Sequence, residues 1–187
     1  RSHTIESPSV ATSVKTGRPN SCNQCHLDKT LAWAAHHLEE WYDQPQPELS
    51  PDEKTVAASV LWTLKGDAGQ RALMAWSFGW DAARETTRPD WMIPWVSQLM
   101  IDPYDAVRYI AYRTLRGLPG CGGIPYDFVG PVAQRQAAGQ SALQAWQSLS
   151  RRTTGRELLI DEQGQLMTGE ASRLLKERDH RRLSLAE

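Results

Sequence analysis

Ser50-Pro51-Asp52-Glu53-Lys54-Thr55-Val56-Ala57-Ala58-Ser59-Val60-Leu61-Trp62-Thr63-Leu64-Lys65-Gly66-Asp67 is the stretch that decides the fold class. Ser50 followed three residues later by Glu53 is a capping box, with Pro51 at the first helical position, where its missing N–H costs nothing. Those residues predict a helix over 50–65 that Gly66 closes. Asp67 can then cap a second helix, running through Leu73 and Trp76 to Phe78. Two capped helices joined by a single glycine leave no room for a strand.

Downstream the same grammar repeats. Asp90 precedes a helix over 91–101 that tolerates Pro94 near its first turn. Asp102-Pro103 opens another over 104–116, with Val107, Ile110, Ala111 and Leu115 on its inner face. Gly117, Pro119 and Gly120 stop it, and a Gly/Pro loop leads to a long helix over 131–151. Two short apolar runs flank residues 161–164 and suggest a small hairpin or turn, after which Thr168 or Gly169 opens a last polar helix. Upstream, residues 44–49 form a two-proline linker. Residues 28–42 read as helix, since Leu31, Ala34, Leu38 and Trp41 recur at steps of three and four. Residues 1–21 are polar and turn-forming and read as an extended wrap. The expectation is an all-α protein in two parts, a segment over 1–45 and a helical-hairpin stack over 46–187.

The first part holds the chemistry, at Cys22-Asn23-Gln24-Cys25-His26. Cys-x-x-Cys-His is the attachment signature of c-type haem. Two thiols three positions apart on one tight turn can each form a thioether to a porphyrin vinyl group. The histidine that follows supplies an axial imidazole to the iron. Structural zinc would need four N/S ligands, and the only further cysteine is Cys121, with no second Cys pair and no His-x3-His. A thioredoxin-type pair would sit beside a βαβ pattern, which these helices do not supply. Heme c is therefore the expected cofactor, with Cys22, Cys25 and His26 binding it and His26 on the iron.

Composition bounds the rest. A chain of 187 residues can bury a core without disulfides. A net charge of −1 gives no electrostatic case for nucleic acid or an anionic membrane. The basic clusters at Arg151-Arg152 and 178–182 read as solvated helix ends. No run of 18 apolar residues exists, so no transmembrane segment is expected. The chain begins with Arg1, which reads as a processed product or fragment whose signal peptide has gone. Haem attachment on the outer side of the bacterial inner membrane makes a periplasmic or extracellular location the expectation. Cys121 has no partner within the chain once haem takes the other two thiols, and reads as an inert small residue. Of eight tryptophans, Trp33 and Trp41 are near enough to the motif to wall a haem, and the others read as packing between helices.

The chain also resembles a known family. His3-Thr4-Ile5, Pro8, Gly17, Pro19-Asn20, Cys22, Cys25-His26, Asp28-Lys29 and Trp33 are similar to the last haem segment of bacterial multihaem c-type cytochromes whose haem region is followed by HEAT- or TPR-like helical repeats. Residues 102–111 look like a HEAT-type helix of those proteins, and the tail 178–187 resembles their C-terminus. The resemblance implies electron transport, a histidine ligand at His3 and bis-His iron. The family carries several haem motifs, whereas this chain has one. Haem-bearing partner chains, or a separate upstream part, and an oligomer or complex are then expected.

For the second axial position the candidates are His3, His36, His37, His180 and Met74, Met92, Met100 and Met167. His3 comes first through the resemblance. His37 is the fallback because it shares a helix face with Trp33 and Trp41, and His36 follows. His3 could also reach a partner's haem, leaving His36 or His37 to serve this one. No Ser/His/Asp arrangement, P-loop, Gly-x-Gly-x-x-Gly or His-Glu-x-x-His is present, so no catalytic residue is assigned. An electron carrier is the leading expectation. The alternatives are a haem enzyme or gas sensor with an open distal site, and an assembly module stapled by haem.

Overall fold

The computed structural model describes residues 7–181, so His3 lies outside the described residues. Among the described residues eleven α-helices follow in chain order: α1 Val10–Thr16, α2 Ser21–Cys25, α3 Leu31–Tyr42, α4 Pro51–Thr55, α5 Ala58–Lys65, α6 Ala68–Ser77, α7 Asp81–Thr86, α8 Met92–Leu99, α9 Asp105–Leu115, α10 Val132–Gln147 and α11 Thr168–Lys176. Among the described residues there are isolated β-bridges but no strand. The fold is all-α, and no described helix is long and apolar enough to cross a membrane.

The capping signals operate as read. Ser50 Oγ accepts from the Glu53 N–H while Glu53 accepts from the Ser50 N–H, closing the box on α4. Asp67 and Gln70 form the same reciprocal pair on α6. The helix expected over 50–65, however, is broken. Val56 is extended, Ala57 leaves helical geometry at φ −55°, ψ 132°, and Ala57 pairs with Thr30 across a bridge. Ala57 N–H donates to Glu157 at 2.8 Å and Ala58 N–H to Lys29 at 3.0 Å. Long-range backbone partners outbid the helical ones at this point, and no local pattern encodes them.

The wrap expected over 1–21 is also revised, since α1 occupies part of it. Ser9 caps it by accepting from the Thr12 N–H, and Gly17 ends it in the left-handed region at φ 73°. Its β-branched Val and Thr content hid the period.

α8 is the hub. Seven of its eight residues are buried, Ser97 the polar one among them, as befits a central helix. Pro94 sits in its first turn, where backbone N–H groups have no helical acceptor. α9 and α10 pack on α8, α6 packs on α9, and α5 packs on both α6 and α11. Asp90 does not cap α8. It accepts instead from the Thr153 N–H and hydroxyl, tying the chain beyond α10 to the start of the hub.

Two expectations about side chains change. Trp62, Trp91, Trp95 and Trp146 are buried between helices, but Trp76 and Trp80 are 49% and 40% exposed and stack on each other. Arg178 is not a solvated helix end. Its side chain is only 8% exposed, donates to the Leu64 and Thr63 carbonyls, and lies 3.6 Å from Asp102. Asp102 also receives Arg71 at 2.6 Å, and both side chains are fully buried. Cys121 is buried as well, and burial pushes its thiol up to about 11, so it stays protonated at neutral pH.

A second ionic cluster joins α4 to α11. Arg173 grips Asp52 at 2.6 Å, and Lys65 lies 3.4 Å from Asp52 and 2.8 Å from Glu177. The hydrogen bond from Arg173 holds the Asp52 carboxyl below its usual range, burial opposes it, and the Arg173 and Lys65 charges add to the lowering. A depressed carboxyl contributes stability above its unfolded pKa of about 3.9 and loses it as pH falls through the folded value. Asp52→Asn should therefore destabilise the protein at pH 7 by about 1 kcal/mol, the modest worth of a partly solvated pair. Urea midpoints for the two proteins should converge as the pH drops below about 4. A gap that persists unchanged at low pH would remove the ionic explanation.

Candidate functional site

α2 is one helical turn, and it contains both thiols of the motif. Asn20 caps it, its side chain accepting from the Cys22 N–H at 3.0 Å. His26 ends it, donating its backbone N–H to the Cys22 carbonyl at 2.9 Å while leaving helical geometry at φ −85°, ψ 66°. Residues three apart on a helical turn share a face, so Cys22 and Cys25 are presented together. All three cysteines are free.

Contacts from several elements hold this turn. Asn23 is fully buried and donates its Nδ2 to the Lys29 and Thr30 carbonyls at 3.0 and 3.2 Å. Leu27, next to His26, is fully buried, and its carbonyl accepts from the Ser59 hydroxyl. The Thr86 hydroxyl on α7 donates to the Cys25 carbonyl at 2.8 Å. Every one of these bonds goes to backbone, so they fix the path of the turn and leave its reactive side chains free.

The turn opens onto a cleft of about 290 Å³ lined by Cys22, Cys25, His26, Trp33, His37 and Trp41, with Pro8 at its edge. α3 supplies the aromatic wall because Trp33, His37 and Trp41 recur every four residues. Ring centroids step 4.9 Å from His26 to Trp33, 4.6 Å from Trp33 to His37 and 4.8 Å from His37 to Trp41. The last pair is stacked. Burial against this surface pushes the Cys22 thiol up, its own backbone hydrogen bond opposes the rise, and Cys25 adds to it. Gln44 donates to the Pro8 carbonyl at 3.0 Å, pinning the incoming chain beside the end of α3.

The remaining ligand candidates separate clearly. Met74, Met92 and Met100 are fully buried in the helical body, and neither they nor Met167 lines the cleft. His180 is exposed and lies outside the cleft too. His36 is exposed on α3, 5.2 Å by ring centroid from His37. His37 alone among them lines the cleft, on the side of Trp33.

Sequence reasoning did not find the residues that brace the site. Ser59, Thr86 and Gln44 act from 32, 61 and 36 positions away, and no local pattern marks them. Asn23 lies within the motif, but its bonds to the Lys29 and Thr30 carbonyls emerge only in the fold. No family model, no curated protein and no solved structure matches the chain.

Proposed function

We propose that this protein is an electron-transfer c-type cytochrome subunit holding one covalent heme c. Cys22 and Cys25 form its thioethers, His26 is the proximal ligand and His3 the distal one, and the helical body is HEAT-like. One observation carries the reading: a braced single turn presents two free thiols and an adjacent histidine to an apolar, aromatic-walled cleft. The donor set suits this group, because thiols on one turn reach two vinyl carbons and an imidazole suits iron. Bound haem supplies a one-electron iron couple.

The chain's own residues do the rest. His26 would hold the iron through its imidazole, and its ring lies 4.9 Å by centroid from Trp33. Trp33, partly buried, would shield one flank of a bound haem, and Trp41, 61% exposed, would line its open edge; burial of this kind tunes the potential. The cleft is at the low end of small-molecule sites, which span roughly 300–1,000 Å³, so it leaves much of a porphyrin uncovered for a partner's approach. Pro8 edges the cleft, and five residues of chain reach at most about 17 Å, which keeps His3 within range. The stacked Trp76 and Trp80 on the body are the type of residue that anchors protein partners. Such partners would be other haem-bearing chains in the periplasm or outside the cell.

Acid–acetone extraction tests the assignment: the colour should remain on the protein and disappear from the Cys22→Ser/Cys25→Ser variant. Colourless protein expressed with haem-attachment machinery, with both thiols free, would end this reading. Carbon monoxide separates carrier from enzyme or sensor. A reduced protein with two axial imidazoles should leave its Soret band unmoved, and His3→Ala should bind the gas rapidly. Rapid binding by the unmodified protein would instead favour an open distal site.

A further inference from the structure

α3 carries a second donor set beside the cleft. A ring nitrogen from each of His36 and His37 and a carboxylate oxygen of Glu40 lie within 4.8 Å of one another. Helical spacing brings them together, since Glu40 follows His36 by four residues and His37 by three. His37 Nδ1 and Glu40 Oε2 are 3.1 Å apart. Two ligands bound tetrahedrally at 2.0–2.2 Å from one ion are about 3.4 Å apart, so this pair already has nearly the spacing of shared coordination. The orientation of His37 is set independently, by Trp33 on one side and Trp41 on the other. His36 is exposed, with its ring 5.2 Å by centroid from that of His37.

We propose that His36, His37 and Glu40 bind one divalent transition-metal cation of the zinc type. Two imidazoles and a carboxylate suit Zn²⁺, Cu²⁺ or Ni²⁺, whereas Mg²⁺ and Ca²⁺ take oxygen ligands. Three protein ligands leave one position for water or for a donor from a partner. The site uses none of Cys22, Cys25 and His26, so it does not rest on the haem reading.

Free Cys22 and Cys25 also bind Zn²⁺, and the experiment has to separate the two. Equilibrium dialysis with Zn²⁺ near neutral pH is run on the full chain as isolated and on the Cys22→Ser/Cys25→Ser variant. Circular dichroism checks that the variant is folded. The double-Ser variant should bind one ion per chain, in preference to Mg²⁺, and His36→Ala and Glu40→Gln should each weaken that binding at least about tenfold. Should the double-Ser variant fail to fold, the same two substitutions in the protein as isolated, with its thiols alkylated, give the same readout. Binding unaffected by either substitution, or no Zn²⁺ bound once the thiols are removed or blocked, overturns the proposal. Acid–acetone extraction is silent on this site, so its failure and that of the haem reading are distinguishable.

Discussion

Asp102→Ala should lower stability by about 3–5 kcal/mol, the usual loss when one partner of a buried ion pair is removed. Asp102 is the carboxylate to which Arg71 Nε and Nη2 both donate, and it also faces Arg178 at 3.6 Å. All three side chains are at most 8% exposed. The substitution strands two guanidiniums among carbonyls in a low-dielectric interior. Arg71 would keep its bond to the Gly66 carbonyl, and Arg178 its bonds to Thr63 and Leu64, which offset dipoles and not charge. Asp102 also accepts from the Tyr104 N–H, holding the entry to α9, so α9 should lose protection in hydrogen exchange. A loss of that size lowers the melting temperature of a domain this large by roughly 6–20 °C. Asp102→Leu combined with Arg71→Met and Arg178→Met should recover much of the loss, because a buried ion group and an apolar one of similar volume are near parity. A single-substitution cost below about 1 kcal/mol, typical of exposed pairs, would show that water reaches the network.

Leu27→Ala is expected to cost about 2–5 kcal/mol, the range for emptying a buried leucine site. Its further effect is local. Leu27 is fully buried directly after His26, and it anchors the turn in the core that α3 and α5 share. Emptying that site frees the backbone between His26 and Thr30, so amide exchange should quicken there before the rest of the protein. Leu27→Met keeps the volume and should cost less than about 1.5 kcal/mol. Equal losses from both substitutions would mean that the packing at Leu27 does not brace the turn.

The misreadings share one cause. Residues 50–65 carry helix signals throughout, yet the helix parts at Val56 and Ala57 because Lys29 and Glu157 offer backbone partners from elsewhere. Arg178 looked solvated within a run of charges, and only its distance from Asp102 shows otherwise. Trp76 and Trp80 looked like packing residues, but their face of α6 and its following turn meets solvent. Each depends on what lies across the core, and no window of sequence contains that information. α1 is the exception, since Ser9 and Gly17 mark its ends and weak propensity concealed it.

By itself the sequence determined the all-helical class, most helix starts and the donor set at residues 22–26. Capping boxes, glycine stops and the period of apolar residues act over a few positions, and so does the spacing of two thiols on one turn. Only the tertiary structure decided what braces that turn, Ser59 and Thr86, and how the Arg71–Asp102–Arg178 group ties the tail to the body. Those contacts join residues tens of positions apart, and their energy exists only once the chain is folded and water is excluded.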